Sequence, residues 1–142
     1  MTKQNRIGKM IHQEAETLKR LAKSWNNLDT SFIKHDLADN FTYESQWVLT
    51  PIEGSQSFLN YLESKFQAIK TAMQKETMIV TAELALHPAI QHNPIIVLTQ
   101  ITSEGVRQVS ILIKMEQDKI KRIDVCFIPD PTDAELTGEI PK

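Results

Sequence analysis

The chain has 142 residues, of which 41% are hydrophobic and 24% are charged, and this composition is typical of one globular domain. Its formal net charge of −2 gives no electrostatic reason to expect binding to nucleic acid or to an anionic membrane surface. The single cysteine, Cys126, excludes an internal disulfide and a cysteine-based zinc site, and its apolar surroundings in the sequence indicate a buried small hydrophobe. No cofactor is expected.

The N-terminal region combines a helical pattern with scattered charges. Residues 1–20 contain no long apolar run, so the sequence predicts neither a signal peptide nor a membrane span, and a cytoplasmic location is expected. Apolar residues recur at spacings of three and four, which predicts one long helix with charged residues largely on its opposite face. This stripe consists of Ile7, Met10, Ile11, Leu18, Leu21, Ala22, Trp25 and Leu28.

A short second helix is predicted next, because residues 29–31 (Asp-Thr-Ser) supply capping oxygens for a helix that reaches Leu37. The pattern then alternates over FTYESQWV, residues 41–48, which predicts a strand that is broken by Pro51. A third helix begins after Gly54. Its apolar stripe consists of Phe58, Leu59, Leu62, Phe66, Ile69 and Met73.

Four extended segments follow, and they predict a meander of strands. The segments are residues 77–87, 94–102, 106–115 and 119–128. Ser-Glu-Gly at residues 103–105 predicts the hairpin turn between the second and third of them. In the second segment both parities are apolar, so either Thr99 or Gln100 could be the polar group that faces the interior.

These elements predict the α+β class, with one curved antiparallel sheet covered on its inner face by the long N-terminal helix and two further helices. A curved sheet closed over by helices leaves a conical cavity, which is a preferred place for a small-molecule site. Residues 1–130 are predicted to form one domain. Residues 131–142 are predicted to form an acidic, proline-containing C-terminal tail that is mostly unpacked.

Two segments carry a family resemblance, WNNLDTSFIKHDLADNFTYESQWVLTPIEGSQSFLNYL at residues 25–62 and KIKRIDVCFIPDP at residues 119–131. The first contains Trp-Asn-x-Leu-Asp, then Leu-Ala-Asp-x-Phe, then a helix that starts at Gly-Ser. In this order the motifs resemble the NTF2-like (SnoaL-like) superfamily over about residues 9–130. The resemblance implies a cone-shaped, cystatin-like α+β fold, whose members include isomerases, cyclases, dehydratases, epoxide hydrolases and non-enzymatic carriers or adaptors.

Similarity to the ketosteroid isomerases of this superfamily runs without a gap from Leu21 to Ser45. In that family the first position is the oxyanion-hole tyrosine and the second is the general-base aspartate. A third position, a protonated aspartic acid on a later strand, falls near Ile111. Such an isomerase needs a carboxylate to move the proton and acidic donors to hold the enolate. Because these positions are leucine, serine and isoleucine here, the resemblance argues against this chemistry.

The same resemblance implies which side chains line the cavity. Tyr43, Ser45 and Trp47 share the inward parity of their strand, whereas Glu44 and Gln46 take the outward parity. Ser45 is interpreted as a small polar group between two large rings, which leaves room and offers one hydrogen-bonding group. An ordinary packed sheet core is the alternative. The rest of the expected lining consists of Leu21, Trp25, Ile111, Val125 and Phe127.

The histidines and outward carboxylates give no recognisable site. His87 and His92 flank a proline loop without a nearby carboxylate in the sequence, so no metal site is expected. His35 or His87 could serve as a general base only at the cavity mouth beside an orienting partner. Glu44 and Asp124 have outward parity and are interpreted as exposed sheet residues or interface groups.

The sequence predicts a protein that binds a small hydrophobic or aromatic molecule in its cavity and pairs with a second copy. Leu84, Leu86, Val106 and Leu112 are expected to need cover on the outer face of the sheet, which a homodimer through that face would supply. Two alternatives stay open. One is a SnoaL-like enzyme of the cyclase, dehydratase or hydrolase type that uses a histidine or tyrosine in the cavity, and the other is a protein-interaction module that uses the sheet face. Neither nucleic acid nor a membrane is expected as a partner.

Overall fold

One seven-stranded sheet carries two α-helices on the same face. The computed structural model describes the backbone of residues 3–46 and 48–142 and the side chains of residues 12–46 and 48–142. The helices are α1 (Lys3–Asn27) and α2 (Ser55–Gln74). The strands are β1 (Leu37–Ser45), β2 (Val48–Glu53), β3 (Met78–His87), β4 (Asn93–Thr102), β5 (Gly105–Glu116), β6 (Lys119–Cys126) and β7 (Glu135–Leu136). Over the described residues, neither helix has the length and apolarity needed to cross a membrane. The cytoplasmic location stays a prediction.

The sheet has the order β2-β1-β6-β5-β4-β3-β7 and is mixed. β1 and β6 run parallel, with Tyr43 opposite Ile123 and Ser45 opposite Val125, and the other neighbouring pairs are antiparallel. The prediction of a wholly antiparallel sheet is therefore wrong at this one pair. The reason is that α2 and the four strands β2 to β5 separate β1 from β6 along the chain, so no tight turn forces the two strands into opposite directions.

The segment after β1 continues the sheet as a separate strand. β1 and β2 form a tight hairpin in which Ser45 lies opposite Val48. Pro51 lies within β2, so the prediction that Pro51 breaks the strand is wrong. β2 is an edge strand. Proline lacks a backbone N–H, and an edge strand tolerates this because one of its sides has no neighbouring strand to bond.

The predicted second helix is only a 3₁₀ turn, Thr30–Phe32. Asp29 caps this turn as predicted, because its side chain accepts a hydrogen bond from the backbone N–H of Ser31 at 2.9 Å. Leu37, expected at the end of the helix, instead begins β1 and lies opposite Ile120 of β6. Because the backbone at Leu37 is committed to the sheet, the turn cannot continue as a helix. The described chain thus covers its sheet with two α-helices, and the prediction of a third is wrong.

α1 and α2 bury most of the apolar stripes that their periodicity predicted, whereas Leu59 is half-buried and Met73, near the end of α2, is 40% exposed. The buried members are Leu18, Leu21, Ala22, Trp25 and Leu28 near or on α1, and Phe58, Leu62, Phe66 and Ile69 on α2. Trp25 meets Phe66 edge-on, with ring centroids 5.0 Å apart at 77°, and this contact joins the two helices. The predicted stripe members Ile7, Met10 and Ile11 lie outside the described side chains.

β4 buries apolar side chains on both faces of the sheet. The inner members are Ile96 and Leu98, and the outer ones are Ile95 and Val97. This resolves the open parity of the segment, because Thr99 lies on the outer face and accepts a hydrogen bond from Gln108 Nε2 at 3.0 Å. Gln100 therefore has the inner parity. Leu84, expected on the outer face, lies in the inner core instead, whereas Leu112 packs against the outer cluster.

Residues 129–142 (the C-terminal strap) pack along the edge of β3. β7 pairs with β3, and Thr137 bonds the backbone oxygen of Leu84 through both its N–H at 3.1 Å and its hydroxyl at 2.7 Å. Asn26 Nδ2 of α1 donates to the backbone oxygen of Pro141 at 2.7 Å. The prediction of a mostly unpacked tail is therefore wrong, since the edge of β3 offers unpaired backbone groups that the strap satisfies. The boundary between domain and tail stays a prediction.

Candidate functional site

Rings from β1 and α2 form an aromatic cluster between the sheet and the helix. Phe58 of α2 contacts Phe41 and Tyr43 of β1, with ring centroids 4.8 and 5.0 Å apart. Tyr61, about one turn further along α2, contacts the Tyr43 ring at 5.3 Å. The rings meet because alternate residues share one face of a strand and residues three apart share one side of a helix. Tyr61 is half-buried, and the other three rings are buried.

Three hydroxyl groups and one ammonium group lie together at the polar end of these rings. The hydroxyls of Ser45 and Tyr61 lie beside the Tyr43 hydroxyl, and both influence its ionisation. Lys65 Nζ donates to the Tyr61 hydroxyl at 3.5 Å and lies 5.8 Å from the centroid of the same ring. These four residues, Tyr43, Ser45, Tyr61 and Lys65, form the hydroxyl cluster. It runs from the half-buried surface of α2 to the inner face of β1.

Burial controls the ionisation of the hydroxyl cluster. Tyr43 is only 3% exposed. Burial, followed by the neighbouring Tyr61, raises the pKa of Tyr43 well above its usual value, and the hydrogen bond with Ser45 opposes this shift. Tyr43 therefore stays a neutral phenol that can donate one hydrogen bond and accept others. The cluster contains no carboxylate or imidazole, so it offers hydrogen bonds without the usual groups of a general base.

Most of the predicted lining residues lie together in the core. Ser45, Val125 and Ile111 form one row across β1, β6 and β5, since each lies directly opposite the next. Leu21 and Trp25 of α1 belong to the same buried core. The sequence therefore located a set of interior side chains. Whether they bind a ligand stays a prediction.

Trp47 and Phe127 stand apart from this set. Trp47 lies outside the described residues. Phe127 follows the end of β6, is 41% exposed, and lines a surface depression of about 280 Å³ together with Val106 and Gln108. Gln108 belongs to the outer face of the sheet, so the predicted inward position of Phe127 is wrong. The alternation of side chains that placed it inward ends with the strand at Cys126.

Sequence reasoning missed Tyr61 and Lys65. A signal for them was present, because Tyr61 lies three residues after Phe58 and four before Lys65, which puts all three along one side of α2. Only fully apolar residues were assigned to the buried stripe of this helix. A tyrosine, which has an apolar ring and a polar end, can occupy the border of such a stripe and present its hydroxyl to a neighbouring strand.

The other candidate groups lie away from the hydroxyl cluster. His87 is buried beside the C-terminal strap with both ring nitrogens hydrogen-bonded, and His35 is exposed, so neither is placed as a general base of the cluster. Glu44 and Asp124 have the outward parity predicted for them, and each pairs with Arg122 at 2.9 Å. Among the side chains that the structure describes, no three of His, Cys, Asp or Glu converge as a metal site requires.

Solved structures share this arrangement of helices and sheet. The chain matches an NTF2-like protein of unknown function from Cytophaga hutchinsonii with a TM-score of 0.55 and 16% identity, over 84% of this chain and 93% of that protein. It also matches an uncharacterized cystatin-fold protein from Novosphingobium aromaticivorans with a TM-score of 0.57 and 15% identity, over 78% of this chain and 94% of that protein. The chain has the NTF2-like fold.

A further example of the NTF2-like fold is a candidate polyketide cyclase from Sinorhizobium meliloti, with a TM-score of 0.57 and 9% identity over 78% of this chain and 93% of that protein. No protein-family model and no curated protein matches the sequence. The resemblance carried by residues 25–62 and 119–131 is therefore confirmed at the level of the fold. Because one fold hosts many activities, function has to be argued from the side chains within it.

The NTF2-like interior of this chain is built for contact and hydrogen bonding. Leu21, Ser45 and Ile111, the positions that the sequence resemblance aligned with the acid and base groups of ketosteroid isomerases, are all buried here. A serine hydroxyl can donate and accept hydrogen bonds but has no usable basicity near neutral pH, and the other two side chains are hydrocarbon.

Proposed function

We propose that the protein binds a small aromatic or hydrophobic molecule that carries a hydrogen-bonding oxygen, in the interior of the fold beside the hydroxyl cluster. The observation that carries this proposal is the burial of hydroxyl groups within an aromatic wall, because Tyr43 is 3% exposed and Ser45 is 8% exposed. Rings give a flat ligand apolar contact, and a few placed polar groups fix its orientation.

The chemistry of the hydroxyl cluster supports an oxygen on the ligand. A purely apolar core needs no hydroxyls, and burying them is costly unless each is bonded. The Tyr43 and Ser45 hydroxyls lie side by side, and a hydroxyl can both donate and accept hydrogen bonds. Lys65 donates to the Tyr61 hydroxyl, and a hydroxyl that accepts from a cation is polarised towards donation. A carbonyl or phenol oxygen is the complementary group.

The test uses naphthalene and 1-naphthol as matched probes in isothermal titration calorimetry. Wild type is expected to bind 1-naphthol about 3- to 10-fold more tightly than naphthalene, because one net hydrogen bond contributes about 1 kcal/mol. Tyr61→Phe removes a half-buried hydroxyl and should lower that preference, while Ser45→Phe should fill the space and block both probes. Leu49→Ala changes a fully exposed side chain and serves as the control.

Two results would refute the binding proposal. The first is wild type that binds neither probe, and the second is a folded Ser45→Phe variant that binds both as wild type does. Should Ser45→Phe fail to fold, the naphthol preference in Tyr61→Phe still decides the role of the hydroxyl cluster. The SnoaL-like enzyme alternative is supported by the fold shared with the candidate cyclase, but the hydroxyl cluster lacks a general base, so binding is proposed ahead of catalysis.

We further propose that the partner is a second copy of this chain, held through the outer face of the sheet. Ile79, Ile101 and Val106 lie directly opposite one another across β3, β4 and β5 and are 57%, 43% and 66% exposed. The other half of this face is covered by the C-terminal strap, where Ala134 packs on the outer cluster. The exposed row is thus the part that a partner would cover.

Light scattering on a sizing column tests the homodimer. Wild type at micromolar concentration should give about twice the 16.2 kDa mass of one chain. Val106→Lys puts a charge at one end of the exposed row and should give the monomer mass, whereas Leu49→Lys on the edge strand β2 should leave the dimer intact. A monomer mass for wild type across the elution peak would contradict this proposal.

A further inference from the structure

His87 lies where the C-terminal strap leaves the sheet, and both of its ring nitrogens are engaged. Its side chain is buried, with the residue 2% exposed. Nδ1 accepts the backbone N–H of Ala89 at 3.1 Å, and Nε2 lies 2.7 Å from the backbone oxygen of Asp130. A carbonyl oxygen can only accept and an N–H can only donate, so Nε2 carries the proton and Nδ1 does not. This arrangement requires a neutral imidazole.

We propose that His87 is a protonation-sensitive latch that holds the C-terminal strap on the edge of β3. Protonation adds a hydrogen to Nδ1, which then faces the N–H of Ala89, so an attraction between two groups becomes a repulsion between two donors. It also places a positive charge on a buried ring. Both effects are relieved when the ring and the strap separate. The closed strap therefore favours the neutral ring, and the open strap favours the protonated ring.

Opening the strap would expose an edge and an apolar cluster. Near His87, Ser110 Oγ donates to the backbone oxygen of Pro129 at 2.7 Å, and further along Thr137 bonds Leu84. Once these bonds break, β3 presents unpaired backbone groups, and the outer cluster loses its cover. The outer cluster consists of Ala85, Ile95 and Val97, each at most 1% exposed. An exposed edge of this kind accepts an extended chain segment as an additional strand.

The charged group that interacts with His87 is the carboxylate of Asp130. Hydrogen bonds from the N–H and the hydroxyl of Thr132 hold the pKa of Asp130 below its ordinary value of 3.8. Asp130 therefore keeps its negative charge above that value, and both hydrogen bonds lie within the strap itself. The negative charge of Asp130 favours a protonated His87 ring and so weakens the latch. It does not remove the repulsion between the hydrogen on Nδ1 and the N–H of Ala89.

A second histidine contact acts with the opposite sign. His92 Nε2 lies 3.6 Å from Glu135 Oε1 of the strap, and both side chains are exposed. Protonation of His92 would strengthen this pair and hold the strap more tightly as the pH falls. Asp133, in the 3₁₀ turn of the strap, adds a further negative charge. Release of the strap in mild acid would therefore point to His87, because protonation of His92 beside Glu135 would hold the strap in place.

Amide hydrogen exchange followed by NMR on the full chain tests the latch. The amide of Leu84 donates to Glu139 and that of Thr137 to Leu84, so both report closure of the strap. In wild type their protection factors should fall about tenfold or more between about pH 8 and pH 5. The amide of Ile111, inside the sheet, should show no such fall.

Two substitutions separate the functions of the ring nitrogens. His87→Gln keeps a donor at the reach of Nε2 and cannot be protonated, so the strap should stay closed at every pH. His87→Asn keeps an acceptor for the N–H of Ala89 but is too short for Asp130, so protection should be lower and independent of pH. His92→Gln should keep the wild-type fall.

The latch is refuted by a wild type without a pH-dependent fall, or by either His87 variant that retains one. If the His87 variants cannot close the strap, the pH dependence of the wild type alone still tests the latch. The fall in protection must occur in the pH range in which the ring protons of His87 shift. A fall in protection without any shift of the His87 ring protons would also overturn the proposal.

Discussion

Replacing Tyr43 by phenylalanine removes one oxygen from the centre of the hydroxyl cluster and leaves the ring contacts in place. The lost hydroxyl lies beside those of Ser45 and Tyr61, and a net hydrogen bond contributes about 1 kcal/mol. Tyr61 is half-buried and can regain a bond to water, whereas Ser45 is 8% exposed and regains little. Tyr43→Phe should therefore lower the free energy of unfolding by about 1 to 2 kcal/mol at neutral pH.

The same substitution should change how stability depends on alkaline pH. The pKa of Tyr43 in the folded protein is raised by burial, so its contribution is fully present below the ordinary tyrosine pKa of about 10 and is lost as the pH rises above that value. One pH unit higher, ionisation of the unfolded chain alone lowers the wild-type free energy of unfolding by about 1.4 kcal/mol. Tyr43→Phe lacks this loss, so the difference between the two proteins should shrink from pH 9 to pH 11.

Urea denaturation at a series of pH values measures both effects, and Ser45→Ala is the matched control. That variant removes one partner of Tyr43 but keeps the buried phenol, so it should be less destabilised than Tyr43→Phe and should keep the alkaline loss. The reasoning is refuted if Tyr43→Phe costs less than about 0.3 kcal/mol, or if its difference from wild type stays constant across the alkaline range.

Three further predictions follow from the packing. Phe58→Ala should lower the free energy of unfolding by about 3 to 5 kcal/mol, since its ring is buried against two others, while Leu49→Ala should stay within about 0.5 kcal/mol in the same urea assay. Asn26→Ala should lower the free energy of unfolding by about 2 to 4 kcal/mol, because it leaves both backbone groups of buried Ala82 unpaired. Asn26→Asp should not restore this stability, because the backbone oxygens of Ala82 and Pro141 would then face a carboxylate. An ultraviolet assay of double-bond migration in a β,γ-unsaturated ketosteroid should show no turnover, and robust turnover would contradict the reading of the interior.

The elements that the sequence predicted correctly are those whose pattern is local. The stripe of α2 repeats every three or four residues, and the alternation of the later strands repeats every two, so each pattern is decided by neighbours in the chain. The errors arose where a distant strand decided the outcome. Leu37 joined β1 because β6 pairs beside it, Pro51 fitted a strand because that strand is an edge, and the C-terminal strap packed because β3 left an edge open.

The same distinction explains the candidate site. Strand parity is local, and it placed Tyr43 and Ser45 on one face of β1, where the structure also has them. The approach of α2 to that face is tertiary, and it alone decides that the Tyr61 hydroxyl meets Tyr43 instead of water. Phe127 shows the limit of parity, because alternation has no meaning after the strand ends. The sequence shows the strand half and the helix half of such a hydroxyl cluster separately but does not show that they meet. The Tyr43 and Ser45 variants measure how strongly the assembled hydroxyls interact.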